Sequence, residues 1–171
     1  MGILHRDHDH ADVRRFQMKQ KMISIGDDYW IEDESGAKAF KVDGKAARIR
    51  DTWVLEDAAG REVAKIKEKK LSIRDKIDIE LGDRHASVKK ALVGFRDRFH
   101  VEVDGGEDLK VHGNIVDHEY EIERDGHKIA EISKKWFRLR DTYGIEVRDP
   151  ESTVLILAVT VAVDSMSHEV A

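Results

Sequence analysis

Two stretches of the sequence concentrate lysine and arginine, the side chains that hold phosphate groups through charge-assisted hydrogen bonds. Residues 61–76 contain seven basic and three acidic residues, and residues 127–141 contain five basic and two acidic residues. The whole chain has a formal charge of −5, so with net charges of +4 and +3 in these stretches the rest of the chain carries −12. The candidate ligand-binding residues are Lys67, Lys69, Lys70 and Arg74 in the first stretch, and Lys134, Lys135, Trp136, Arg138 and Arg140 in the second.

Trp136 gives the second stretch an aromatic group as well as charge. Alternation along a strand places it on the face opposite Phe137 and Leu139, beside Arg138 and Arg140. A tryptophan that points outward beside arginines suits the water–lipid interface or an anionic headgroup. The alternative, and the more common case, is a solvated strand face on which lysines prevent edge pairing. The sequence leaves both interpretations open.

Histidines near the N-terminus form a second group that could bind a ligand. His5, His8 and His10 alternate with acidic residues, and imidazole with carboxylate can bind Zn²⁺, Ni²⁺ or Cu²⁺. The segment precedes the first strand signal, so the ordinary interpretation is a solvated tail that would lose entropy on binding metal. Five later histidines, from His85 to His127, show no metal-ligand spacing. We therefore predict no metal site, with the tail histidines as weak candidates.

The common catalytic signatures are absent from the sequence. The chain has no G-x-S-x-G, no H-E-x-x-H and neither of the glycine-rich nucleotide loops. It has no cysteine, which excludes disulfides, thiolate zinc sites and thiol nucleophiles. Residues 1–12 are polar and lack the apolar region of a signal peptide. We expect a cytoplasmic, non-enzymatic domain without a cofactor, and its net negative charge argues against nucleic acid as a partner.

Short β-strands must position the basic residues. Turn signals such as Asp43-Gly44 and Asp125-Gly126 separate segments of alternating polarity, for example residues 99–103 and 119–123. The pattern from Arg14 to Val147 is all β, with turns about every 8–12 residues, which predicts a sandwich or a barrel.

The strand pattern occurs twice. A shift of 66 positions aligns Gly60–Leu81 with Gly126–Val147 without a gap. We interpret residues 15–82 and 86–148 as two copies of one unit, which bury their apolar faces by closing on each other. In both copies the apolar residues change parity, which predicts a bulge or turn near Lys67–Lys70 and at the equivalent place in the second copy.

The last segment differs from the strands. Asp149-Pro150-Glu151 is typical of a helix start, and the ten residues Val154–Val163 are apolar on all sides. Their β-branched content would also suit a buried strand, but length and capping favour a helix over residues 150–166. The run is shorter than the roughly 20 residues needed to span a bilayer. A helix apolar on all sides needs a wall on all sides, which a β-barrel supplies. We expect residues 14–171 to form one domain after a flexible tail at 1–13.

The sequence resembles the LURP-one-related family, part of the tubby C-terminal-like superfamily that also includes the phospholipid scramblases. The resemblance covers about Arg14 to Glu169 and implies a mainly β fold. That fold is a closed twelve-stranded antiparallel barrel of two pseudo-symmetric six-stranded repeats around a central hydrophobic C-terminal helix. The segments that carry the resemblance are Met18–Lys21, Ile23–Asp28, Phe40–Gly44, Leu71–Arg74, and the tail from Val154 through Asp164 to His168-Glu169.

The resemblance also implies partners. The tubby branch binds phosphoinositide headgroups through basic residues, so an anionic phospholipid, a membrane surface or a phosphorylated ligand is expected on the two basic stretches. The scramblase branch depends on cysteine-rich and calcium-binding segments, and this sequence has no cysteine and no obvious calcium loop. We expect a cytoplasmic binding or scaffold domain, peripheral at the membrane where it binds lipid. The alternative is a protein–protein adaptor without a lipid ligand, and the oligomeric state stays open.

Overall fold

The structure, a computed structural model, describes residues 12–19, 28–44, 52–69, 76–91, 98–136 and 142–168. These residues form twelve β-strands, one turn of 3-10 helix at Pro150–Ser152, and the α-helix α1 (Thr153–His168). The strands are β1 (Arg14–Lys19), β2 (Tyr29–Asp33), β3 (Lys38–Asp43), β4 (Thr52–Asp57), β5 (Glu62–Lys69), β6 (Lys76–Leu81), β7 (Arg84–Lys90), β8 (Arg98–Val103), β9 (Leu109–Asn114), β10 (Glu119–Arg124), β11 (His127–Ser133) and β12 (Thr142–Val147).

The sheet is closed. Each strand pairs antiparallel with the next along the chain, and β1 pairs with β12 through contacts such as Arg15 opposite Glu146. The closed twelve-stranded barrel with one C-terminal helix confirms the predicted fold class. Closure also separates the equivalent strands of the two predicted copies. Strands six places apart in this ring, such as β5 and β11, lie on opposite sides of the barrel.

Aspartate and glycine shape the hairpins, as the turn signals predicted. In the β2–β3 turn, Asp33 Oδ1 accepts hydrogen bonds from the Ser35 and Ala37 amides, and Gly36 has a φ of 81°. Asp57 and Gly60 repeat this arrangement in the β4–β5 turn. The carboxylates are thereby stabilised in the charged form. The pKa of Asp33 is lowered by the Ser35 hydroxyl first, and that of Asp57 by the Arg61 amide first.

The parity change predicted near Lys67–Lys70 coincides with a change of strand. β5 ends at Lys69 and β6 begins at Lys76, and these two residues are opposite each other. In the second copy, β11 ends at Ser133 and β12 begins at Thr142. Register shifts occur instead near the other ends of β5 and β11, where they pair with β4 and β10. The segments between these strands, residues 70–75 and 137–141, lie outside the described residues. The predicted bulge or turn falls partly on them.

Helix α1 fills the barrel. Alternate residues of the strands point inward and are buried, and the helix is buried from Leu155 to Asp164. The stretch Pro150–Ser167 is long and apolar enough to cross a bilayer by composition, but 67% of it is buried inside the barrel, as in the core helix of a soluble protein. The α-helix begins at Thr153, three residues later than the predicted start at 150, because Pro150–Ser152 forms the 3-10 turn. There the Thr153 hydroxyl donates to the Pro150 carbonyl oxygen.

We expect Leu157→Asp to prevent folding. Leu157 is fully buried, and an unpaired buried charge costs several kcal/mol, which is comparable with the stability of a whole domain. Leu157→Met is the matched control, since a swap that conserves volume costs less than about 1.5 kcal/mol. Soluble yield and thermal unfolding followed by circular dichroism measure both. A cooperative transition of Leu157→Asp near that of the unmodified protein would contradict the buried position of this residue.

Candidate functional site

The described candidates of the two predicted basic stretches lie on opposite sides of the barrel. Lys67 and Lys69 belong to β5, whereas Lys134, Lys135 and Trp136 directly follow β11, on the opposite side of the barrel. The two stretches must therefore be considered separately. The remaining candidates, Lys70, Arg74, Arg138 and Arg140 together with His5, His8 and His10, lie outside the described residues.

The described lysines of the first basic stretch are paired with carboxylates that are themselves partly exposed. Lys67 Nζ donates to Glu80 Oε1 at 2.7 Å, and the two side chains are 37% and 33% exposed. This hydrogen bond lowers the pKa of Glu80. Lys69 Nζ lies 3.9 Å from Asp78 Oδ2, and Lys76 also contacts Asp78. An approaching anion would meet both signs of charge, so the solvated-face interpretation suits these residues.

The charges around the end of β11 are arranged in two depths. Glu131 and Glu146 are only 15% and 9% exposed, whereas Lys135, Arg15 and Arg148 are 61%, 43% and 42% exposed. Lys135 Nζ donates to Glu131 Oε1 at 2.8 Å, which lowers the pKa of Glu131 and raises that of Lys135. Glu146 accepts from Arg15 and Arg148 at 3.1 and 3.0 Å. These two carboxylates therefore lie beneath a layer of cations. Two exposed carboxylates lie beside the layer, since Glu34 Oε1 is 3.6 Å from Arg15 Nη1 and Glu119 Oε1 accepts from the Lys134 amide.

Trp136 lies within this cationic layer. It is half-buried, and its ring centroid is 5.3 Å from Lys135 Nζ and 5.8 Å from Arg15 Cζ, within the range of cation–π attraction. We call Arg15, Lys134, Lys135, Trp136 and Arg148 the Trp136 surface. Sequence reasoning missed Arg15 and Arg148, because Arg15 reaches the surface only through the closing pair β1–β12. No local pattern marks that proximity.

A second polar group, also missed from the sequence, lies inside the barrel. Asp164 of α1 is fully buried and accepts a hydrogen bond from the Tyr143 hydroxyl, with the Tyr120 hydroxyl 3.4 Å away. His118 Nδ1 lies 3.5 Å from Asp164 Oδ1, and the His118 ring stacks on Tyr143 at 4.1 Å between centroids. Tyr29 is also buried near this charge. We call these five residues the Asp164 cluster.

The Asp164 cluster contains acid–base groups, but it lines none of the three cavities that described residues form. Burial, and next the charge of Asp164, raises the pKa of Tyr29, Tyr120 and Tyr143 well above the ordinary value of 10.0. Neutral hydroxyls that donate to a buried carboxylate stabilise it without a counter-charge. The cluster thus anchors the end of α1 to the barrel wall.

Comparison with known proteins assigns the class. The fold and the exposed polar surfaces define a closed β-barrel domain around a buried helix. The family model of LURP-one-related proteins matches residues 14–164, so the chain belongs to the LURP-one-related family, which confirms the resemblance seen in the sequence. A search of curated proteins found no match.

A solved structure supports the fold independently. The X-ray structure of a protein from Arabidopsis thaliana is similar with a TM-score of 0.64 over 91% of each chain. The two sequences are 15% identical, so this similarity concerns the fold alone. Family and barrel together are consistent with a non-catalytic binding domain.

The tyrosines give a prediction for alkaline pH. The chain has three tyrosines, and all are in the Asp164 cluster, where their raised pKa keeps them protonated in the folded state. The unfolded chain loses these protons above about pH 10. The free energy of unfolding therefore falls as pH rises beyond that value, by about 1.4 kcal/mol per pH unit for each tyrosine. Tyrosinate absorbance and circular dichroism should change together in one transition.

Tyr120→Phe is the matched variant, since it removes one titrating group, together with the long hydrogen bond to Asp164 and the hydrogen bond with the Thr160 hydroxyl. Its stability should fall with pH at about two thirds of the unmodified slope. Tyrosinate absorbance that appears near pH 10 while the circular dichroism is still native would show that these hydroxyls are accessible to solvent.

Proposed function

We propose that this chain is a non-catalytic binding domain that docks an anionic phospholipid headgroup, or another phosphorylated ligand, on the Trp136 surface. The observation that carries the proposal is the layer of exposed cations around Trp136 above Glu131 and Glu146, which are only 15% and 9% exposed. Glu131 and Glu146 form ion pairs with the cations and are themselves mostly covered. The exposed side of this layer is therefore suited to an anion.

The chemistry of the Trp136 surface matches a membrane-bound phosphate. The Arg15 and Arg148 guanidinium groups and the two lysines can donate charge-assisted hydrogen bonds to phosphate oxygens. A half-buried indole such as that of Trp136 is the side chain most suited to the water–lipid interface. Arg15 and Lys135 flank this indole, so one approach of the domain would place both the ring and the cations against a headgroup layer.

The interior supports binding without catalysis. Helix α1 occupies the barrel and its residues from Leu155 to Asp164 are buried, so a ligand would bind outside. The phosphate would stay on the surface and no group of the Asp164 cluster would contact it. We infer a cytoplasmic protein that associates peripherally with a membrane when it binds lipid.

Vesicle co-sedimentation tests the proposal. Lys134→Gln with Lys135→Gln should weaken binding to vesicles containing phosphatidylserine or phosphoinositide by about tenfold, because each basic residue at an anionic surface contributes several-fold in affinity. Glu131 keeps Lys128 and Arg148 as partners, so the double variant should fold. Binding should weaken with salt, because exposed charges are screened over about 8 Å at physiological ionic strength.

Lys67→Gln with Lys69→Gln is the matched control, because it removes the same charge from the equivalent strand on the opposite side of the barrel. This control should bind vesicles like the unmodified protein. Soluble inositol phosphates distinguish a free phosphorylated ligand from a lipid surface. Equal binding by both double variants, or binding independent of anionic lipid, would contradict the proposal and leave a protein partner as the alternative.

A further inference from the structure

A third polar group lies on the outer face of β9 and β10. His112 projects from β9, and Glu121 and Glu123 project from β10, all three half-buried. The strand register places Glu121 opposite His112, and Glu123 follows two residues later on the same face. One donor atom of each residue lies within 4.8 Å of the other two, and His112 Nε2 lies 2.8 Å from Glu123 Oε1. Three donor atoms therefore converge on one point of the surface.

The donor set is that of a transition-metal site. One imidazole nitrogen and two carboxylate oxygens suit Zn²⁺ and similar divalent ions, which bind them at about 2.0–2.2 Å. Donors at that distance in a tetrahedral site lie about 3.4 Å apart. The observed separations, from 2.8 Å to at most 4.8 Å, bracket this value, so small side-chain rotations suffice. Two paired strands fix the backbone of all three residues, which limits the entropy lost on binding.

A cavity adjoins the three donors. It has a volume of about 430 Å³ and is lined in part by His112 and Glu123, together with His100 and Lys110. Three protein donors leave a fourth tetrahedral position for water or for a further ligand. Because the cavity is lined by two of the donors, that position can face it, with the Lys110 side chain available for an anion.

Lys128 opposes metal binding at this place. Its Nζ lies 2.5 Å from Glu121 Oε1 and 3.1 Å from Glu131 Oε2, and the Glu121 contact is the main reason that the pKa of Lys128 is raised. The ammonium neutralises part of the charge that a divalent ion would use. Removal of this cation should therefore strengthen metal binding, which is the opposite of what any change in a ligand should do.

We propose that His112, Glu121 and Glu123 form a binding site for one divalent transition-metal ion of the Zn²⁺ type, with an open coordination position toward the adjoining cavity. The site shares no ligand residue with the Trp136 surface and does not depend on lipid binding, although Lys128 contacts both Glu121 and Glu131. Its residues are nine and eleven positions apart in the sequence, and only the β9–β10 register brings them together.

Isothermal titration with ZnCl₂ tests the site in the full chain. Since His5, His8 and His10 could also bind Zn²⁺, all measurements use a chain in which these three are replaced by Asn. We expect one equivalent of Zn²⁺ to bind. His112→Ala should weaken the affinity at least about tenfold, and Lys128→Gln should increase it. His85→Ala, which removes an exposed histidine from β7, is the matched control and should leave the affinity unchanged.

Glu123→Gln repeats the test if His112→Ala does not fold, as judged by its melting transition. Absence of saturable binding below about 1 mM Zn²⁺ would overturn the proposal. Equal affinities of the His112→Ala and His85→Ala chains would also overturn it.

Discussion

The burial of α1 is the constraint on which the rest of the structure depends. A helix that is apolar on all sides cannot lie on a surface, and an open sheet would cover only one side of it. Twelve strands in a closed ring cover every side, and residues Leu155–Val163 are buried as a result. The same closure creates the exposed features of interest, because pairing of β1 with β12 brings Arg15 beside Glu146 and Trp136. The core and the candidate binding surface therefore share one cause.

Asp164 is the exception that defines how the helix is held. A buried carboxylate is costly unless it is hydrogen-bonded, and this one lies among the Tyr143, Tyr120 and His118 side chains. Apolar contacts tolerate rotation and sliding of a helix, whereas hydrogen bonds to fixed hydroxyls do not. The Asp164 cluster therefore fixes the depth and the rotation of α1 in the barrel, because its hydrogen bonds form only when the helix and the tyrosine hydroxyls are correctly placed.

The two repeats supply equivalent strands but different surfaces. On β5, the side chains of Lys67 and Glu80 are almost equally exposed. A ligand that approaches from solvent would therefore meet an ion pair without net charge. After β11, Lys135 lies above Glu131, which is mostly covered. A lysine–glutamate pair thus gives a different surface potential when its carboxylate is covered than when both side chains are equally exposed. The closed barrel constrains the inward residues of each strand, whereas the outward residues can differ between strands, so a surface on one side can differ from that on the other.

The sequence by itself determined the local features: the Asp–Gly turns, the alternating strands, the apolar C-terminal helix and, through family resemblance, the closed barrel of twelve strands. These follow from periodicity and turn chemistry, which depend on residues close together in the chain. Tertiary structure decided which charges are exposed and which distant residues meet. Arg15 joins Trp136 across 121 positions, and His112 meets Glu121 only through one strand register. A shift of that register by one residue would turn these side chains to opposite faces, and neither register nor depth is encoded in any short pattern of residues.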